Sequence, residues 1–129
     1  MTDRNELIDL LAALVRIDSV NPDLIPGARG EGEIAAYIAE WATRAGLEVV
    51  VQEAAPGRPN VIVTARGSGG GRNLLLNGHI DTVGLAGMAD PLTPRIAGGR
   101  MYGRGAYDMK AGVAASLITA QRARALGLR

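Results

Sequence analysis

The chain has 129 residues, with 14 Lys and Arg against 13 Asp and Glu, and a net charge of +1. With 47% hydrophobic and 21% charged residues it has the composition of a globular domain rather than a disordered tail, and its near-zero charge argues against a polyanion binder held by bulk electrostatics. It contains no Cys, which excludes a disulfide framework, a thiolate nucleophile and a thiolate zinc site.

The N-terminus, Met1-Thr2-Asp3-Arg4-Asn5-Glu6, does not read as a signal peptide. Asp9 interrupts the apolar run at 7–15, and no stretch is long enough to span a bilayer. A cytoplasmic protein with no membrane partner is the expectation. Aromatic residues are scarce (Tyr37, Trp41, Tyr102, Tyr107 and no Phe), which leaves no stacking platform for single-stranded nucleic acid and a core of Leu, Ile, Val and Ala.

The first predicted element is a helix over residues 3–17, where Leu7, Leu10, Leu11, Leu14 and Val15 recur at helical spacing and Thr2 or Asp3 caps the start. Residues 18–30, with Asn21-Pro22 and Pro26-Gly27, read as a loop. A second helix is predicted over 31–45 with the stripe Ile34, Ile38, Trp41 and Ala45, and Gly46 closes it. The period then changes. Strands are predicted over 47–52, 60–65 and 73–77, with a flexible turn at 67–71. The continuous apolar runs of Val49-Val50-Val51 and Leu74-Leu75-Leu76 suit strands covered on both faces. Residues 96–101 resemble a hairpin around Gly98-Gly99. A long alanine-rich helix is predicted over 109–126. No repeat or linker divides the chain, so the reading is one α/β unit, a mostly buried sheet flanked by helices.

Neither glycine-rich loop fits a phosphate cradle. Gly67 to Gly71 leads into a strand rather than a helix, and Gly103-Arg104-Gly105 is followed by Asp108 where a third glycine is required. The sharper signal is Asn77-Gly78-His79-Ile80-Asp81-Thr82. His79 is the only histidine, and it follows an apolar run, at the strand end where ligands sit in open α/β sheets. Two residues apart on extended backbone, His79 and Asp81 share a face, and a carboxylate that orients an imidazole is a common way to build a metal ligand. Asp108 follows a glycine-rich segment that permits close backbone approach, and imidazole with carboxylate suits zinc or a similar divalent ion. Spacing alone leaves plainer readings open: a solvated histidine, a turn at Asp81, a helix cap at Asp108.

The flanking residues carry a resemblance. Leu74-Leu75-Leu76-Asn77-Gly78-His79-Ile80-Asp81-Thr82-Val83 resembles the first metal-binding segment of the dinuclear zinc amidohydrolases, the family of acetylornithine deacetylase, succinyl-diaminopimelate desuccinylase, aminoacylase and glutamate carboxypeptidase. Tyr102-Gly103-Arg104-Gly105-Ala106-Tyr107-Asp108-Met109-Lys110-Ala111-Gly112 resembles its second. Fainter echoes lie in Val15-Arg16-Ile17-Asp18-Ser19-Val20-Asn21-Pro22 and in Arg58-Pro59-Asn60-Val61.

The resemblance implies a three-layer zinc-peptidase-like catalytic domain, of which residues 1–129 form the N-terminal portion with no internal boundary. It implies that His79 ligates one metal, that Asp108 bridges two, that Asp81 is the catalytic-site carboxylate orienting His79, and that the Asp108-Met109 peptide is cis. The implied cofactor is a pair of zinc ions, with cobalt or manganese as substitutes, and the implied substrate is an N-acyl amino acid or small peptide.

Ala111 departs from the family's usual glycine, and Gly84 from a frequent proline. The adjacent Glu pair that supplies a base and a ligand is absent, and no Asp, Glu or His follows Asp108. The expectation is therefore an N-terminal piece of a hydrolase, inactive alone and able to form a homodimer through an exposed apolar edge. The alternative is a non-catalytic binding module or subunit that keeps the fold without a complete site.

Overall fold

A computed structural model of the chain describes residues 2–127. In chain order it contains helix α1 (Thr2–Arg16), helix α2 (Gly32–Arg44), strands β1 (Glu48–Ala55) and β2 (Arg58–Thr64), strands β3 (Arg95–Ala97) and β4 (Arg100–Tyr102), a π-type turn (Ala106–Lys110) and helix α3 (Ala111–Ala125). It is a mixed α/β arrangement. The expected cap is made by the side chain of Thr2 or Asp3, and these side chains lie outside what the structure describes.

The helices form where the apolar stripes fall. Residues three and four apart share a helix face, and the stripes of all three helices meet in one cluster. Leu10 and Leu14 of α1, Ile34 and Ile38 of α2, and Val113, Ala114 and Leu117 of α3 are its buried members. Trp41 of the α2 stripe is only partly buried at its margin.

β1 and β2 pair antiparallel with Val49 opposite Val63, Val50 opposite Ile62 and Val51 opposite Val61. Successive side chains alternate between faces. Val61 and Val63 pack on the helical core, while Val50 and Ile62, facing the other way, are exposed. The second hairpin pairs Ile96 with Met101 and Ala97 with Arg100. Its turn puts Gly98 and Gly99 at φ of 57° and 74°, the left-handed backbone at both central positions that a two-residue hairpin of this kind requires.

The sheet itself corrects the sequence reading. Instead of one mostly buried sheet there are two separate antiparallel pairs among the described residues; β1 is largely exposed, and β2 alternates between half-buried and exposed positions. The strand expected at 73–77 does not form: Leu74 is 80% and Leu75 84% exposed. A strand exists only when a neighbour takes up its N–H and C=O groups, and no described residue pairs with this segment. The last helix also starts later than expected, because Asp108 and Met109 have non-helical backbone angles. Among the described residues no helix is long and apolar enough to cross a membrane.

Leu14 has no exposed surface and belongs to the cluster in which the three helices meet. Leu14→Ala is expected to lower the unfolding free energy by about 2–5 kcal/mol in urea titration; an unchanged midpoint would show that this cluster is not the core.

Candidate functional site

Two segments far apart in sequence meet on the stretch of chain that follows α1. The first contains His79 and Asp81. Thr82 N–H donates to Ser19 O at 2.9 Å, and Asn21 N–H donates to Thr82 O at 2.9 Å, a parallel bridge between Val20 and Thr82. Ser19, Val20 and Thr82 are all buried, so the backbone of the first segment is fixed beside residues 19–21.

The second segment carries Asp108. It turns sharply at Gly105, where φ is 77° and a Cβ would come 2.7 Å from Thr82 Cγ2 and 3.1 Å from Lys110 Cδ. Glycine is therefore required twice over, for its backbone angle and for the contact that lays this turn against Thr82. Lys110, 1% exposed, anchors the turn from inside: its Nζ donates to Leu14 O and Ile17 O, both at 2.8 Å. Burial pushes the Lys110 ammonium down to about 8, against the pull of Asp18. The Asp108-Met109 peptide is cis, as the resemblance implies. Asp108 does not cap α3, whose N-cap residue is Lys110.

The two segments bring His79, Asp81 and Asp108 together. His79 Nδ1 lies 2.9 Å from Asp81 Oδ1 and 3.2 Å from the Asp81 carbonyl oxygen. His79 Nε2 lies 2.9 Å from Asp108 Oδ1. Asp81 Oδ2 accepts a hydrogen bond from Asn21 Nδ2 at 2.8 Å. The three residues line a cleft of about 300 Å³ whose wall includes Arg104, Tyr107 and Leu24. Burial pulls the imidazole's proton affinity down, but the bonds to Asp108 and Asp81 outweigh it and hold His79 above its ordinary value. Ionised carboxylates only accept, so making both bonds requires a proton on each ring nitrogen.

The donor set fits a divalent cation in part. Imidazole nitrogen and carboxylate oxygen suit zinc, cobalt or manganese, and His79 Nε2 and Asp108 Oδ1 converge. Asp81 stands on the opposite edge of the ring and cannot share an ion with Nε2. Among the described residues no group of three His, Cys, Asp or Glu is placed to hold a metal. Among the described residues the cleft thus sets one imidazole nitrogen beside one carboxylate oxygen, with Asp81 on the other edge of the ring.

Two contributors escaped the sequence reading. In the sequence Asn21 reads only as part of a loop and of a faint family echo, and Lys110 only as part of a motif. Their partners lie 60 and 96 residues away; the single hint was that both fall within segments carrying the family resemblance.

The model of peptidase family M20/M25/M40 matches residues 75–129. The match begins just before His79 and takes in the whole of the second segment. The chain belongs to this family. It is 32% identical over 133 aligned residues to N-formyl-4-amino-5-aminomethyl-2-methylpyrimidine deformylase of Halalkalibacterium halodurans, covering 98% of this chain and 31% of that protein. It is 39% identical over 111 residues to succinyl-diaminopimelate desuccinylase of a Methylobacterium species, covering 81% of this chain and 26% of the relative. The corresponding enzyme of Parvibaculum lavamentivorans is 33% identical over 89% of this chain and 29% of its own length. The chain thus spans under a third of the length of these relatives, and it matches their N-terminal part. The family's members among these relatives are hydrolases.

The raised proton affinity of His79 gives a pH dependence. The folded chain binds this proton more tightly than the unfolded chain, whose imidazole has the ordinary value of 6.5. The stabilisation is fully present below that value and is lost as pH rises through the higher folded value. In chelator-treated buffer the urea midpoint of the wild type is expected to fall over that window by more than that of His79→Ala. Equal falls would mean that the bonds to Asp81 and Asp108 do not favour the protonated ring.

Proposed function

We propose that this chain is the N-terminal part of one catalytic domain of a metal-dependent hydrolase that cleaves the amide bond of N-acyl amino acids or small peptides. In this reading His79 and Asp108 are metal ligands, and Asp81 orients His79. The observation that carries it is the order of contacts across one imidazole, a carboxylate on Nδ1 and a second on Nε2. A lone solvated histidine has no need of either. The names of the relatives, a deformylase and a desuccinylase, support an acyl group on nitrogen as the substrate class.

The residues divide the work by position. His79 Nε2 and Asp108 would hold the ion. Asp81, on the far edge of the ring, keeps a proton on Nδ1 and so leaves the Nε2 lone pair for the ion. A bound zinc ion, or cobalt or manganese on the same donors, supplies Lewis acidity toward water and the amide carbonyl. The reaction further needs a group that takes a proton from water. Among the described residues that line the cleft the carboxylates are Asp81 and Asp108, and both are engaged by His79. Neither is free for that role, so we assign the base and the remaining ligands to parts of the protein other than these 129 residues, and the chain alone is inactive. A three-layer domain is the architecture that would cover the bare faces at Val50, Ile62, Leu74 and Leu75.

Calorimetric titration of zinc into the chain tests the ligand assignment. His79→Ala is expected to weaken binding by more than about tenfold, the lower bound for loss of a group that merely orients a ligand. Equal affinities in wild type and variant would remove His79 from the metal site.

A further inference from the structure

We propose that Asn21 is a positioning residue of this centre: it fixes the Asp81 carboxylate so that Asp81 can orient the His79 ring. The inference rests on the reading of His79 as a metal ligand and adds a residue from the loop after α1 to the same site.

A free Asp side chain can turn either oxygen toward water and leave a neighbouring imidazole unsupported. Asn21 removes that freedom. Its Nδ2 donates to Asp81 Oδ2 at 2.8 Å, which leaves Oδ1 for His79 Nδ1 at 2.9 Å. The direction of the amide is itself determined. Asn21 Oδ1 accepts the Asp23 N–H at 2.8 Å, the turn that Asn side chains make with the backbone two residues on. One end of the amide must therefore be the acceptor for Asp23, and the other must be the donor for Asp81.

Asn21 is held from three sides. Its own N–H donates to Thr82 O at 2.9 Å, so backbone and side chain both grip the 81–82 segment. The turn residue Asp23 accepts from Arg58 Nη1 at 2.8 Å. Arg58 in turn bonds the carboxylate of the buried Glu31 through Nε at 2.6 Å and Nη2 at 2.7 Å. The bidentate pair ties the loop to the start of β2 and to the residue that opens α2. The placement of Asp81 thus leads back to the frame of the domain rather than to solvent.

The consequence falls on the imidazole. Nδ1 faces two acceptors of Asp81, the fixed Oδ1 and the main-chain oxygen. Nε2 faces one, on the far more exposed Asp108. A neutral ring therefore keeps its proton on Nδ1 and turns the Nε2 lone pair toward the cleft, the tautomer a ligand on that side requires.

The test uses the fact that His79 is the only histidine in the chain, so its ring ¹⁵N signals need no assignment. Asn21→Asp keeps an acceptor for the Asp23 turn and replaces the donor to Asp81 with a second carboxylate; Asn21→Ala, which removes the donor without adding a charge, is its control. In metal-free protein, at a pH where the ring is neutral, the wild type is expected to show mainly the Nδ1–H tautomer. Asn21→Asp is expected to shift the ring to Nε2–H in at least half of the molecules and to weaken zinc binding about tenfold to a hundredfold, with the fold checked by the urea midpoint.

The double variant Asn21→Asp with Asp81→Asn restores the hydrogen bond with donor and acceptor exchanged, and is expected to bring back Nδ1–H; if Asn21→Asp does not fold, Asn21→Ala takes its place and is expected to show the same shift to Nε2–H. A wild-type tautomer ratio in Asn21→Asp, or no recovery in the double variant, would overturn the proposal. His79→Ala keeps the two readings apart. If it binds zinc as the wild type does, the metal assignment fails, while the ring spectra still decide what Asn21 does.

Discussion

The ammonium of Lys110 is buried against the end of α1, and the arrangement of the site depends on it. Burying an ammonium is unfavourable unless hydrogen bonds replace its water. A helix end has the opposite need: its last carbonyls have no donor within the helix, and the dipole there favours a cation. Lys110 and the carbonyls of Leu14 and Ile17 answer each other. The contact docks the Asp108 turn onto α1. A few residues further on, the same stretch of chain bridges to Thr82 and presents Asn21 to Asp81. Residues 14–21 are thus a common frame on which both site segments are aligned.

That frame explains the division of tasks within the site. His79 Nε2 and Asp108 Oδ1 meet on one edge of the ring. On the other edge Asp81 and, behind it, Asn21 make hydrogen bonds that lead into the fold. A ligand held in this way loses little freedom when an ion arrives, because its orientation is already set. In the proposed reading the chain carries the orienting half of a centre. Among the described residues that line the cleft there is no third donor and no carboxylate beyond the two that His79 engages, and the chain covers under a third of the length of its relatives.

Much of this was legible in the sequence, for physical reasons that differ from element to element. The helices follow from stripes whose period is set by backbone geometry, and the Gly98-Gly99 turn follows from a backbone angle that few other residues tolerate. His79, Asp81 and Asp108 were legible because long runs around them resemble a known family. The apolar run at 73–77 misled, since such a run shows that a segment needs cover and not that a pairing neighbour stands beside it. Asn21 and Lys110 were silent because their roles exist only through contacts across most of the chain. An Asn before a Pro in a loop, or a Lys before a helix, has many commoner uses.

In the proposed site an ion bound to this chain sits on the imidazole of His79, with oxygen donors making up the rest of its surroundings. X-ray absorption at the zinc edge, on the chain loaded with an equimolar amount of zinc, tests it most directly. The account predicts the outer-shell scattering of a single imidazole together with oxygen ligands, and its loss in His79→Ala. A first shell of oxygen alone in the wild type would contradict it.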